Sequence, residues 1–415
     1  MKLTPIGYLP EDWDYCQLRD HLDLLTDYDA NGSFADMANN VHTEIGSGYA
    51  WYVRATDLEQ RTPLSEVRYT DKSSYEFLKK SSLFGGEVLV AKRGEIGKVY
   101  YFEKPQNLRA TLAPNLYLLK LKKTIHSHWL YYFFVSPRGQ ELLKSINAST
   151  SLGAIYKEDV KNLHIPLPNL DEQKRIAEAL AAVDNMIATL DEAIAKKRQI
   201  REGLMQQLLT GETRLSGFKG EWEEVTFKSI YKYAKEGGTP STRVAEYYNP
   251  ATVPFAKIED LKDKYLTRVE SYISESGVEH SSAWVIPVDS VILSNGATLG
   301  EVSINKIPTS TKQGILGIIL KEQFSPEFVY YLFKGREFRR EMERVTTHGT
   351  MDCAYLKDLN TIPLTIPSLE EQEAIASVIS SIDKEIYSLG SQRDKYSLIK
   401  QGMMQELLTG TIRLI

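Results

Sequence analysis

Two stretches of this chain align without gaps: PNLDEQKRIAEALAAVDNMIATLDEAIAKKRQIREGLMQQLLTGETRL at residues 168–215 and PSLEEQEAIASVISSIDKEIYSLGSQRDKYSLIKQGMMQELLTGTIRL at residues 367–414. They are offset by 199 residues and are identical at 20 of 48 positions, whereas unrelated stretches of this length would share roughly three. Weaker matches upstream, such as Asp57-Leu58 with Asp260-Leu261, keep the same order. The chain is therefore a duplication, predicted to run globule, long helix, globule, long helix.

Each stretch carries the signals that start and stop a helix. A capping-box pair begins it, and a glycine suited to a left-handed C-terminal stop ends it. About 41 residues lie between these signals, which corresponds to roughly 60 Å of helix. The signal residues are Asn169, Glu172 and Gly211 in the first stretch and Ser368, Glu371 and Gly410 in the second.

Apolar residues recur along both helices at alternating spacings of three and four, the heptad pattern of a helix that packs against a partner helix. The phase slips in the first helix, where Lys197 and Arg201 fall on the seam. We interpret the helices as partners of each other, and the alternative is two ordinary core helices in separate domains. The seam residues are Ile176, Leu180, Val183, Ile187, Leu190 and Ile194 in the first helix and Ile375, Ile379, Ile382, Ile386 and Leu389 in the second.

The order of the segments predicts the direction of the pairing. The first helix leads from the first globule to the second, and the second helix starts at the second globule. An antiparallel pair needs no long return segment, so we expect an antiparallel coiled coil with a globule at each end and a pseudo-twofold axis. The predicted segments are residues 1–167, 168–214, 215–366 and 367–415.

The two globules are predicted to be α+β. Residues 86–102 have the pattern of a strand pair with glycines at the bend, and residues 287–304 are their counterpart. Residues 129–146 and 325–345 are predicted to form short amphipathic helices.

Composition excludes several classes of protein. The chain has 415 residues, a net charge of −5 and a pI of about 5.9, so any DNA-binding surface must be local and balanced by acidic surface elsewhere. It has no apolar run long enough to cross a membrane. Two cysteines, Cys16 and Cys353, are too few for a disulfide framework and predict a reducing, cytoplasmic environment.

No motif predicts catalysis. The chain lacks a phosphate-binding G-x-x-x-x-G-K-[ST] loop and a G-x-S-x-G nucleophile elbow. His126 and His128 have no apparent third ligand, so we expect no metal site. The sequence predicts a protein that is not an enzyme and needs no cofactor of its own.

The motifs together resemble the specificity subunit of type I restriction–modification systems. They are IPLPNLDEQKRIA at residues 165–177, IPSLEEQEAIA at 366–376, the two LLTG ends, KRGEIGKV at 92–99 and GGTPS at 237–241. In that family each globule is a target recognition domain that reads one half of a split DNA site, and two conserved helices separate the domains. The first globule departs from the pattern, because it has only DANGS at residues 29–33 where GGTPS would stand.

The resemblance also implies partners. The helices would dock methyltransferase subunits, two in number, and restriction–translocase subunits would join the complex. S-adenosylmethionine, ATP and Mg²⁺ would then be bound by those partners, and double-stranded DNA would be the ligand of this chain. The implied function is recognition of a bipartite, asymmetric site.

Basic and polar residues near the predicted bends are the candidates for DNA contact, since Arg, Lys, Asn and Gln read base edges and Lys, Arg, Ser and Thr position phosphates. Different side chains on one repeated frame would suit two different half-sites. In the first globule the candidates are Arg68, Lys79, Lys80, Lys92, Arg93, Lys98 and Arg109. In the second they are Thr239, Ser241, Thr242, Arg243, Lys257, Asn295, Lys312 and Gln313.

Two alternatives remain open. One is an orphan DNA-recognition subunit that works with a different methyltransferase or regulates without cleavage. The other is a coiled-coil scaffold that binds only protein, which would have no affinity for duplex DNA.

Overall fold

The chain forms two compact units in a computed structural model, which describes residues 1–94, 96–147, 153–296, 298–349 and 352–415. Unit 1 comprises Met1–Asp191 and Ser391–Ile415, and unit 2 comprises Glu192–Gly390. Both divisions fall inside the long helices, so each unit contains one predicted globule and parts of both helices. Glu95 of the KRGEIGKV motif and Ala297 of the second bend lie outside the described residues.

Two sheets form the globule of unit 1. The first is antiparallel and buried on both faces, because Val88 and Val90 pack towards the helices while Leu89 and Ala91 pack towards the second sheet. In order across the sheet, its strands are Val99–Phe102, Glu87–Ala91, Leu116–Leu121 and Leu22–Asp27. The strands of the second sheet are Thr43–Ile45, Arg68–Thr70, Ala50–Val53, Arg109–Leu112 and Ser82–Leu83. The predicted strand pair at 86–102 is confirmed, with Val99 opposite Val90.

Unit 2 repeats this plan. One sheet contains five strands. The other sheet corresponds to the second sheet of unit 1 and is smaller. The five strands, in order, are Tyr231–Glu236, Ile315–Leu320, Val291–Ser294, Val302–Asn305 and Tyr265–Leu266. The smaller sheet contains Tyr272–Ile273, Val253–Ala256 and Ser310–Thr311. Each unit has one parallel pair in the corresponding sheet, Ala50–Val53 with Arg109–Leu112 and Val253–Ala256 with Ser310–Thr311.

Short helices complete the globules. The helix predicted at 129–146 is wrong as one element, because Pro137 disfavours helical backbone at Ser136, whose ψ of 157° ends the first helix while its hydroxyl caps the second. The helix predicted at 325–345 breaks likewise, at Gly335. The helices of unit 1 are Phe34–Asn40, Ala55–Gln60, Lys72–Phe77, Ser127–Val135, Pro137–Ser145 and Lys157–Asn162. Those of unit 2 are Glu275–Glu279, Pro326–Lys334, Arg336–Val345 and Leu356–Leu359.

The two long helices, spacer helix 1 (Leu170–Leu209) and spacer helix 2 (Leu369–Leu407), have 40 and 39 residues. The strand before each helix pairs with a strand near the start of its globule: His164–Leu167 with Asp14–Gln17, and Pro363–Ile366 with Glu223–Thr226. The left-handed stops are confirmed, since Gly211 and Gly410 have φ of 74° and 73°.

Ion pairs give the direction of the helices within each unit. In unit 1, Asp184 pairs with Lys400 and Asp191 with Arg393, so residue numbers rise along one helix as they fall along the other. In unit 2 the phase-slip residues do the same, since Lys197 pairs with Glu385 and Arg201 pairs with Asp383. The helices are therefore antiparallel, as the order of segments predicts.

None of the helices in the described ranges is both long enough and apolar enough to span a lipid bilayer.

Candidate nucleic-acid interface and helix anchors

Lys92 is largely buried in unit 1, at the wall of a cleft. Its side chain is almost fully buried, with the residue 6% exposed, and Nζ lies 2.9 Å from Asp27 Oδ2 and 2.5 Å from Asp29 Oδ2. Asp27 also accepts a hydrogen bond from Lys157 at 2.7 Å. This placement contradicts the prediction that Lys92 contacts DNA, because its charge is already neutralised by the buried carboxylate of Asp27 and the exposed carboxylate of Asp29.

Asn295 is the corresponding residue of unit 2 and is fully buried. Its backbone N–H donates to the carbonyl of Gly314 at 3.0 Å, and Nδ2 donates to the carbonyl of Ala354 at 3.1 Å. The prediction that Asn295 reads a base is therefore also contradicted. Both bends use their central polar residue to hold the globule together.

The remaining candidates of unit 1 are at least partly exposed. Arg93 is exposed and makes no ion pair within the described ranges. Lys98 pairs with Glu59 at 2.9 Å, and Arg109 stacks 4.6 Å above the ring of Tyr49. Of these three candidates, Arg93 is therefore the one whose charge is not engaged by any described residue.

Arg68, Lys79 and Lys80 have different surroundings. Arg68 donates from Nη1 to the hydroxyl of Thr43 at 3.1 Å. Lys79 is exposed, and Lys80 donates to the carbonyl of Ala30 at 3.0 Å. The structure does not gather all seven candidates at one place.

Two of the seven candidates, Lys92 and Arg93, line a cleft of about 560 Å³ in unit 1, which the acidic Asp29 also lines. Thr43, the hydrogen-bond partner of Arg68, lines it too. Asn115 and Tyr52 add an amide and an aromatic surface, and Phe34, 90% exposed, stands at the cleft. Cationic, amide and aromatic groups are the ones that contact phosphates and bases. Phe34 and Asn115 were not predicted from the sequence.

The glycines of the GGTPS loop are needed for packing. A Cβ on Gly237 would lie 2.1 Å from the carbonyl oxygen of Thr311, and one on Gly238 would lie 2.0 Å from Ser282 Oγ. The backbone N–H of Gly238 donates to that same Thr311 carbonyl at 3.0 Å. The loop is thereby held against strand Ser310–Thr311.

This packing gathers the other candidates of unit 2 at one end of the parallel pair in its smaller sheet, Val253–Ala256 with Ser310–Thr311. Lys312 directly follows strand Ser310–Thr311, and its N–H donates to the carbonyl of Ala256 at 3.0 Å. Lys257 follows that alanine in the neighbouring strand and is half-buried. The exposed residues beside them are Gln313, Thr239, Ser241, Thr242 and Arg243.

Unit 1 has the same frame at the end of its own parallel pair. The N–H of Ala113 donates to the carbonyl of Val53 at 2.9 Å, as Lys312 does to Ala256. Arg54 then takes the place of Lys257, and Asp57 accepts from the backbone N–H of Arg54 as Asp260 accepts from that of Lys257. Arg54 was missed from the sequence. The match of Asp57-Leu58 with Asp260-Leu261, extended three residues upstream, would have found it.

The DEQ motif at the start of spacer helix 1 anchors the helix twice. Gln173 Oε1 accepts from the N–H of His126 at 2.7 Å and ties the helix to its globule. The buried carboxylate of Glu172 accepts hydrogen bonds from Arg413 Nε at 2.7 Å and from Trp13 Nε1 at 3.0 Å. Asn169 does cap the N–H of Glu172 at 2.9 Å, but the carboxylate half of the predicted capping box is wrong because Arg413 and Trp13 bind it.

Unit 2 contains the same anchor. Arg214 binds both oxygens of buried Glu371 at 2.6 Å, and Gln372 Oε1 accepts from the N–H of Ser325 at 2.9 Å. Here too the capping hydroxyl, from Ser368, reaches the backbone of Glu371 at 3.5 Å, while the carboxylate is bound by arginine. In both units the arginine follows an LLTG end, which explains why the motifs at the two helix termini occur together.

In each unit, a tyrosine of the globule, a carboxylate of one spacer helix and a cation of the other spacer helix form a linked set of contacts. Tyr132 donates to Asp184 at 2.8 Å, and Asp184 pairs with Lys400 at 2.6 Å. In unit 2, Tyr331 donates to Asp383 at 2.7 Å, and that carboxylate binds Arg201 at 3.0 Å. Burial and the bond to Asp383 raise the pKa of the Tyr331 phenol, so it remains a donor at neutral pH.

Burial of the seam differs along its length. The first two seam residues of each helix join the core of a globule, and the seven later ones vary in burial because fewer side chains cover them. Fully buried are Ile176, Leu180, Ile375 and Ile379; nearly so are Leu190 and Ile194; half-buried are Val183, Ile187, Ile382, Ile386 and Leu389.

Among the described residues, no group of three or more His, Cys, Asp or Glu side chains is arranged to hold a metal ion.

Comparison with known proteins gives one family throughout. Residues 10–198 and 219–394 match the family described as type I restriction modification DNA specificity domain. The chain is 25% identical to the MjaVIII type I restriction enzyme specificity subunit of Methanocaldococcus jannaschii, over 98% of this chain and 94% of that one. It is 26% identical to the EcoR124I/EcoR124II specificity subunit of Escherichia coli over 54% and 56% of the respective chains. The crystal structure of a type I S subunit from M. genitalium has a similar fold, with a TM-score of 0.60, 18% identity and coverage of 97% and 98%.

Proposed function

Because this chain belongs to the type I restriction modification DNA specificity family, we propose that it reads a bipartite, asymmetric DNA site, with each unit reading one half. The observation that carries the proposal is the repeated frame at the end of each parallel strand pair. Unit 1 presents Arg54 there, with Arg93 lining the adjoining cleft beside Asn115, and unit 2 presents Lys312 and Gln313. Different donors on one frame would select different base sequences.

The spacer helices would dock two methyltransferase subunits, and restriction–translocase subunits would join the complex through them. Methylation and cleavage would then be carried out by these partners in the cytoplasm, with S-adenosylmethionine, ATP and Mg²⁺ bound to them. This chain would contribute recognition and position, because a methyltransferase must hold its target base outside the duplex.

The test is to co-express the chain with the methyltransferase encoded beside it in the genome and to map the methylated DNA positions by sequencing. We expect a split motif with an unread gap. Lys312→Ala with Gln313→Ala should relax one half of the motif only, and Arg93→Ala should relax the other half only.

The exposed residues Lys228 and Lys123 provide matched controls, since alanine removes the same charge in the same unit outside the parallel strand pairs. Both control variants should keep the full motif. A contiguous palindromic motif, or loss of both halves with either variant, would contradict the proposal.

A further inference from the structure

A cleft of about 550 Å³ in unit 2 carries more positive than negative charge. It lies between spacer helix 1 and the helices Pro326–Lys334 and Arg336–Val345, on a floor that includes Tyr330 and Met205. Four cations line it against two carboxylates: Arg201, Lys334, Arg336 and Arg339 against Glu202 and Asp383.

Two of these arginines make no ion pair within the described ranges, although they lie on a helix rich in glutamate. The glutamates pair with other arginines of the same helix, Glu337 with Arg340 at 2.5 Å and Glu341 with Arg344 at 2.8 Å. Arg336 and Arg339 are both exposed and line the cleft. Their charges are thus available to a ligand.

Arg201 adds a further donor. Its guanidinium binds Asp383 through Nη1, while its buried Nε has no hydrogen-bond acceptor among the described residues. A buried donor without an acceptor costs free energy, which an incoming acceptor would recover.

Unit 1 keeps only one of these four charges at the equivalent positions, Lys400 in place of Arg201, and lacks the other three. At an offset of 199 residues, Val135, Pro137 and Gln140 replace Lys334, Arg336 and Arg339 in turn. Gln140 is itself engaged, since Nε2 donates to the carbonyls of Gly97 and Phe134 at 2.7 Å each. The cationic cleft is therefore a property of one half of the duplicated frame.

The position of the cleft argues against DNA as its ligand. Val291 and Leu293 of the five-stranded sheet pack towards the helices that line it, whereas Ile292 packs towards the smaller sheet that carries Lys257 and Lys312. The cleft and the candidate DNA-reading residues thus lie on opposite sides of that sheet. A cavity of this volume accommodates a few side chains and not a duplex.

We propose that this cleft binds an acidic segment of a protein partner and that the partner is the methyltransferase copy docked on unit 2. The inference rests on the proposed function for the docking itself. It adds that the two methyltransferase copies are held unequally, because only one makes this electrostatic contact. Such a contact weakens as salt screens it.

The test is native mass spectrometry of the full chain co-purified with its methyltransferase, over a series of salt concentrations. The charge-reversal variant R336E/R339E and the milder R336Q/R339Q are compared with R340E/R344E, which reverses two exposed arginines of the same helix that are paired with glutamate. We expect R336E/R339E to weaken one copy about tenfold or more and to leave a one-copy complex where wild type retains two. R336Q/R339Q should have a smaller effect in the same direction, and R340E/R344E should retain both copies.

Equal retention of two copies by R336E/R339E would overturn the inference, and so would equal loss in R340E/R344E. Unchanged copy number with weaker duplex binding would assign the cleft to phosphate and overturn it as well. The docking function is judged separately on wild type, where failure to bind any methyltransferase would reject it together with the inference.

Discussion

Arg413, three residues beyond the last LLTG motif, binds both carboxylate oxygens of Glu172 near the start of spacer helix 1, at 2.7 and 2.9 Å. Glu172 is 1% exposed, so this is a buried, bidentate ion pair between residues 241 positions apart in the chain. Arg214 and Glu371 repeat it in unit 2. The two pairs join the end of one antiparallel helix to the beginning of the other.

Removing Arg413 should destabilise unit 1 strongly. Arg413→Ala leaves the buried carboxylate of Glu172 without its cation, and we expect a loss of about 3 kcal/mol in the free energy of unfolding. Arg413→Lys keeps the charge but not the bidentate geometry, so its free energy of unfolding should lie between those of wild type and Arg413→Ala. Urea denaturation measures both.

The control is Lys174→Ala, which removes an exposed cation from the same helix and should change stability little. Similar losses in both alanine variants would refute the role of the pair.

Asp27 should contribute to acid sensitivity. Burial alone would raise the pKa of its carboxyl, but hydrogen bonds from Lys157 and Lys92 outweigh burial and hold the pKa below its ordinary value of about 3.8. A pKa lowered by folding gives stability that is present above about pH 4 and is lost as the pH falls through the folded value.

Asp27→Asn should therefore reduce the free energy of unfolding by about 2–4 kcal/mol at pH 7, because Lys92 stays buried with less compensation. The difference from wild type should shrink below pH 4, where the wild-type carboxyl also becomes protonated. Urea denaturation at several pH values measures this, and a difference that does not vary with pH would contradict the assignment.

Adjacent residues Lys92 and Arg93 should separate stability from DNA binding. Lys92→Ala should lower the midpoint of urea unfolding because it leaves Asp27 and Asp29 with fewer partners. Arg93→Ala should leave the midpoint unchanged and reduce the slope of log binding constant against log salt by about 0.9, the value for one phosphate contact. If only Lys92→Ala changed the salt slope, Lys92 and not Arg93 would contact DNA, and the prediction would be refuted.

Replacing glycine by alanine should lower stability in the GGTPS loop and raise it in spacer helix 1. Gly237→Ala places a Cβ 2.1 Å from a backbone oxygen and should destabilise unit 2 in thermal unfolding. Gly203→Ala, inside spacer helix 1 with nothing within 4 Å of the added Cβ, should stabilise by about 1 kcal/mol through helix propensity. A stabilising effect of Gly237→Ala would contradict the close approach to Thr311.

The long helices were predictable because their signals are local and repeated. Heptad spacing and terminal glycines depend only on residues a few positions apart, so the bounds Leu170–Leu209 and Leu369–Leu407 lie close to the predicted ones. The break at Pro137 was also a local signal, and a prediction of one helix through it was wrong. Antiparallel pairing followed from the order of the segments alone.

The fate of each polar residue depended on contacts that sequence spacing does not encode. Lys92 and Arg93 are neighbours in the chain, yet one is buried against Asp27 and the other is exposed, because successive side chains at a strand end point in opposite directions. The sequence predicted that the Glu172 carboxylate caps its own helix, but in the folded protein this carboxylate binds Arg413. Short-range periodicity thus encodes the helices and the duplication, whereas burial and pairing of charges arise only when residues far apart in the chain meet.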